Sequence, residues 1–184
     1  MLNARLEISK DCSLDISADD LANIVNALPE RRGTSKLYKV LARSSSAKVR
    51  QAVANKSPLS DETVRLLSQD RTQAVLIALL NNDAANQRIT KSKIAEWIAD
   101  DDVDMLQTIF QNLKNLTQLD TAHIFYKFAR HFDAAIRLEV ALSSDTDVET
   151  LELLTTDEDS DVCEAAKNTL HMRDPIDPDE NQAD

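Results

Sequence analysis

The sequence predicts an all-α protein, an α-solenoid of about five short two-helix units behind an N-terminal helical cap. Three observations carry this. The 184 residues include one Gly and four Pro, a composition poor in the turn formers that a β-rich fold needs. The segment ETVRLLSQD at 62–70 returns 87 residues later as ETLELLTTD at 149–157. Apolar residues between and around these copies fall at helical spacing, in units of 26 to 31 residues.

The first expected element is a helix from about Ala18 to Leu28, opened by a capping box of Ser17 and Asp20 and striped by Leu21, Ile24, Val25 and Leu28. It makes residues 1–36 an N-terminal cap. Residues 37–170 form the array, anchored at Val49, Val75, Leu106, Ile136 and Val162. Four positions after each anchor stands Val53, Leu79, Phe110, Val140 or Ala166, and six positions after it Asn55, Asn81, Asn112, Leu142 or Asn168. That spacing gives each short helix one apolar face and puts Asn, in place of Gly, at a left-handed C-terminal position.

Each anchored helix is followed by a second one. Ser60 precedes the helix of Val64 and Leu67, Thr90 that of Ile94, Trp97 and Ile98, and Asp120 that of Ile124, Phe128 and Phe132. A capping box of Thr146 and Glu149 opens the helix of Leu151 and Leu154. A unit this small cannot close a core alone, so neighbours must stack. Residues 171–184, with two Pro and five acidic residues, are expected to be a disordered acidic tail.

The formal charge of -11 disfavours polyanions as partners of the whole molecule. It is unevenly spread. Residues 37–100 carry ten basic against six acidic side chains, a net of +4, and residues 101–170 five against fifteen, a net of -10. Lys36, Lys39, Arg43, Lys48 and Arg50 concentrate the positive charge in the first units. No apolar run reaches the roughly 18 residues of a membrane span, and the N-terminal residues lack a secretory core, so a cytoplasmic location is expected. Cys12 and Cys163 stand far apart without a Cys/His cluster and are expected to be buried free thiols.

The unit VRQAVANKSPLSDETVRLLSQD, residues 49–70, resembles the bacterial leucine-rich-repeat variant family, a relative of the HEAT-like and armadillo-like α-solenoids. The resemblance lies in Val49 and Arg50, in Val53, Ala54 and Asn55, and in Pro58, Leu66, Leu67 and Asp70. The unit at Ile136 keeps Arg137, Val140, Ala141, Leu153, Leu154 and Asp157 but has Leu142 in the Asn position. The match covers residues 46–83 and 133–170. It implies a superhelical stack in which short helices, of α or 3-10 type, alternate with longer α-helices. It implies little about activity. The iron-sulfur cluster associated with the family is not implied, because the cysteines are not clustered.

Single Gly33 excludes the paired-glycine loops that cradle phosphates. The runs Asp100–Asp102 with Asp104, and Asp157–Asp159 with Asp161, lack the Gly and Glu of a calcium loop and sit where carboxylates cap helices. His123, Tyr126, Lys127 and Arg130 share one face of a predicted helix and, with Lys39, Arg43, Lys48 and Arg50, are the candidate partner-binding residues. No catalytic residue, metal ligand or cofactor site is expected. The expected function is a non-catalytic, monomeric protein-interaction or scaffold module. The alternative is a HEAT-like nucleic-acid binder with a basic groove in residues 36–93.

Overall fold

The computed structural model describes residues 4–9 and 12–173, and helices dominate it. A two-stranded antiparallel hairpin, β1 (Ala4–Ser9) and β2 (Cys12–Ile16), leads into α1 (Ala18–Ala27). A 3-10 turn at Arg32–Thr34 precedes α2 (Ser35–Leu41), α3 (Ala47–Ala54), α4 (Asp61–Leu67), α5 (Gln73–Leu80) and the single turn α6 (Asp83–Asn86). Then come α7 (Lys91–Ala99), α8 (Val103–Gln111) and a 3-10 turn at Leu113–Asn115. The chain continues with α9 (Thr121–Phe128), α10 (Ala134–Leu142), α11 (Val148–Leu154) and α12 (Ser160–Arg173). Among the described residues no helix is long and apolar enough to cross a membrane.

The chain divides into two compact units, one ending at Gln118 and one beginning at Leu119. In the first, α1 packs on α3, α3 on α5 and α5 on α8, while α4 and α7 lie against this row. Val25, Val49, Val53, Val75, Leu79 and Ile109 are fully buried there. In the second, α10 packs on α9, α11 and α12 around Phe128, Ile136, Val140, Leu151 and Val162.

All five anchors lie on helices, at α3, α5, α8, α10 and α12, and each is buried. Their neighbours α4, α7 and α9 begin where the caps predict: Ser60 Oγ accepts from the Thr63 N–H at 3.2 Å, Thr90 Oγ1 from Lys93 N–H at 3.4 Å and Asp120 Oδ1 from His123 N–H at 3.4 Å. The Asp102 carboxylate caps α8 through Met105 N–H at 2.9 Å, and Asp159 receives the first N–H groups of α12.

Several expectations are corrected. Residues 1–36 are not wholly helical, because the short alternation Leu6, Ile8 and Leu14, Ile16 pairs as a hairpin, with Leu6 opposite Leu14. The acidic tail does not begin at 171: α12 carries on through His171, Met172 and Arg173, and residues 174–184 lie outside the described part. Asn55, Asn81 and Asn112 do end their helices, but at negative φ, -78°, -76° and -101°, and not in the left-handed region. The one described non-glycine residue with positive φ is Asp101, at 58°, just past the end of α7. Asn168 lies inside α12. The cap of α11 is Asp147, since Thr146 is buried and donates to Val140 O at 2.6 Å. Phe132 falls beyond the end of α9 and is 75% exposed. The helices from α3 to α11, α6 apart, span seven to nine residues, so they do not alternate between short and long. Cys163 is half-buried and donates to Thr155 O, while the Cys12 side chain lies outside the described part.

A set of hydrogen bonds joins residues about one sequence unit apart. Buried Lys56 donates to Asn26 O at 2.6 Å and Leu28 O at 3.1 Å, satisfying carbonyls at the end of α1. Asn82 Nδ2 donates to Ala54 O and Lys56 O at 2.7 and 2.9 Å at the end of α3. Arg88 Nη1 reaches Leu59 O, and Gln118 Nε2 reaches Ile89 O, each 29 residues back. In the second unit Thr169 Oγ1 donates to Ala141 O at 2.7 Å, and Arg173 donates to Ser144 O.

Candidate interaction surfaces

The predicted basic residues do not assemble into one open surface, because carboxylates of the same chain take them up. Lys39 on α2 lies 2.6 Å from the Glu62 carboxylate, and Arg43 reaches the other oxygen at 3.3 Å. The Glu62 carboxyl is held below the usual carboxylate range, first by the Lys39 hydrogen bond. Lys48 reaches across to Asp19 on α1 at 2.8 Å.

Arg50 is withdrawn from the surface. Its Nε and Nη2 donate to Asp70 Oδ2 and Oδ1 at 2.5 and 3.0 Å, and Nη1 donates to the carbonyls of Ser44 and Ser45. Asp70 is 6% exposed. Burial pushes its carboxyl up, but hydrogen bonds from Arg50 and Thr72 outweigh this and leave it below its ordinary value. Arg50 thus clamps the loop before α3 to the turn after α4.

The second unit keeps His123, Tyr126, Lys127 and Arg130 exposed. Arg130 lies past the last residue of α9, with its guanidinium stacked on the Tyr126 ring at 4.4 Å from the centroid. His123, Tyr126 and Lys127 lie on the exposed side of α9, with Arg130 just beyond its end, while Ile124, Phe125 and Phe128 are buried. Trp97, expected as a packing residue, is 3% exposed, with Lys93 at 5.9 Å from its ring.

Two concavities of the first unit were not legible as sites. A groove of about 480 Å³ opens between α4 and α7, where Asp61, Arg65, Arg88, Lys93 and Glu96 meet the hydroxyls of Ser68, Thr90 and Ser92. Arg88 pairs with Asp61 at 2.9 Å and Lys93 with Glu96 at 2.7 Å, so three cations face two carboxylates. A smaller pocket of about 160 Å³ lies between α5, α7 and α8, floored by Leu76, Trp97 and Met105 and rimmed by Arg71, Asp100 and Asp102. Only the separate helices are periodic in sequence; their pairing brings these residues together. Among the described residues no group of three or more His, Cys, Asp or Glu could hold a metal ion. No protein-family model matches this chain, and neither a curated protein nor a solved structure shows significant similarity to it.

Proposed function

We propose that the chain is a non-catalytic protein-interaction module: a solenoid-like repeat array of the leucine-rich-repeat variant kind that binds a polypeptide. The observation that carries the reading is the groove between α4 and α7. Its volume, its hydroxyls and its near-balanced charge suit a peptide segment of mixed polarity better than a phosphate backbone, which calls for an excess of cations. Support for a repeat array comes from the Arg50–Asp70 pair returning 87 residues later as Arg137–Asp157, and from side chains that cap carbonyls about one unit back. The nucleic-acid reading loses support, because Lys39, Arg43, Lys48 and Arg50 are all engaged by carboxylates.

A photo-crosslinking amino acid at Gln69, on the rim of the groove, tests the proposal in lysate of the source cell. A discrete protein adduct, lost when an excess of unlabelled chain competes, is the expected result. No adduct there, together with turnover of a substrate class in an activity screen, would sink the module reading.

A further inference from the structure

Leu142 departs from the pattern of its own array. It stands 87 residues after Asn55, at a position where Asn81 and Asn112 also end their helices, and it is 61% exposed. A side chain so exposed adds little to the core. The surroundings are apolar too. Thr169 donates to Ala141 O, and Arg173 donates to Ser144 O and acts electrostatically on Asp147, which brings the end of α12 against the α10–α11 loop. Met172, 80% exposed, and Val148, 49% exposed at the start of α11, are the exposed apolar residues that these meeting segments carry beside Leu142.

Acidic groups surround this apolar spot. Asp145, Asp147 and Glu149 are exposed along the loop and the first turn of α11. Residues 119–173 carry twelve acidic against five basic side chains, a net of -7. That field repels a second copy of the same unit, nucleic acid and anionic lipid, and it attracts a cation. Among the described residues Arg173 reaches this loop, and it is committed there to Ser144 and Asp147.

We propose that Leu142, Val148 and Met172 form a docking spot for a cationic amphipathic helix of a partner protein; the inference rests on the protein-binding reading above. Apolar anchors of the partner at i and i+3 or i+4 cover the three side chains, and its Lys and Arg residues face the net negative field of this unit, with Glu149 in the first turn of α11 nearest. Methionine and leucine suit such a role because they repack around different anchors.

The test uses the full chain and fluorescence anisotropy with labelled helical peptides of about fourteen residues, roughly four turns. A Leu/Lys peptide is expected to bind, and a Leu/Glu peptide of equal hydrophobicity to fail. Leu142→Asn combined with Met172→Gln should weaken the Leu/Lys peptide about tenfold or more. Both positions are exposed, so helical content and melting temperature are expected to stay at wild-type values, and they are measured alongside. Unchanged affinity in the variant overturns the proposal, as does equal binding of a Ser/Lys peptide, which would reduce the effect to charge. A dimer that the double substitution dissolves would make a second copy the occupant. Tighter binding after removal of residues 174–184 would make the chain's own acidic segment the occupant. Either result overturns a partner helix as the natural ligand. Crosslinking at Gln69 is scored separately: an adduct there without peptide binding here leaves the module reading standing and removes this site.

Discussion

Arg137 grips Asp157 with both arms of its guanidinium, Nε to Oδ2 and Nη2 to Oδ1, each at 2.8 Å, and both side chains are less than a tenth exposed. Its third nitrogen, Nη1, donates to the carbonyls of His131 and Phe132 at 2.9 Å. One planar cation thus ties the loop before α10 to the loop after α11. Removing Arg137 leaves the Asp157 carboxylate buried without its cation, and removing the Asp157 charge leaves Arg137 only the more distant, exposed Glu158 at 3.7 Å. Asp157→Asn, or Arg137→Met, is expected to cost about 3–5 kcal/mol of unfolding free energy in urea titration. Lys48→Met, which breaks an exposed pair, should leave the curve close to wild type.

Lys56 carries its ammonium to the end of α1, where Asn26 and Leu28 present carbonyls that α1 itself cannot satisfy. Lys56→Met keeps most of the volume and removes the donor. The expected loss is about 1.5–3 kcal/mol, as for hydrogen bonds from a charged group. Faster hydrogen exchange should follow across α1, and normal exchange in α1 would refute the assignment.

The carboxyls of Asp70, Asp147 and Asp157 all sit below their ordinary value. For Asp157 the chief cause is the Arg137 hydrogen bond; for Asp147, burial raises it and hydrogen bonds from Thr150 more than offset this. A carboxyl lowered in the folded state stabilises the protein fully above the unfolded value, near pH 4. That contribution is lost as pH falls through the lower folded values. Stability should therefore drop steeply below about pH 4, and Asp157→Asn should flatten the decline. Melting temperatures between about pH 2 and pH 6 measure both.

Glu62 occupies Lys39 and Arg43 together. Wild-type protein is expected to show no retention of duplex DNA at about 50 mM salt, and Glu62→Gln should leave that unchanged, since the net charge remains strongly negative. Gel-shift titration at about 50 and 200 mM salt checks it. Salt-sensitive retention by wild-type protein would restore the nucleic-acid reading.

Local rules made most of the helices legible. Ser17, Ser60, Thr90 and Asp120 each cap the helix they were assigned, and every anchor from Val49 to Val162 is buried. The same rules failed where a distant partner competes for the residue. Thr146 resembles an N-cap, yet Val140 O takes its hydroxyl and Asp147 caps α11 instead. Phe132 continues the apolar spacing of α9, yet the chain turns after Phe128 and the Phe132 carbonyl is held by Arg137.

The sequence by itself determined the 87-residue recurrence and most of the helices, α2 and α6 excepted, because periodicity and capping act within a few residues. It also placed Arg50, Asp70, Arg137 and Asp157 at matching positions of the recurrence. Only the tertiary structure decided which charges remain available. Arg50 and Lys48 read alike as surface bases, but one is enclosed against Asp70 and the other lies in the open beside Asp19. Burial and partner are set by side chains 20 to 30 residues away, brought close by helix packing. The groove between α4 and α7 and the apolar spot at Leu142, Val148 and Met172 arise in the same way, because each is made by elements that meet only in the folded chain.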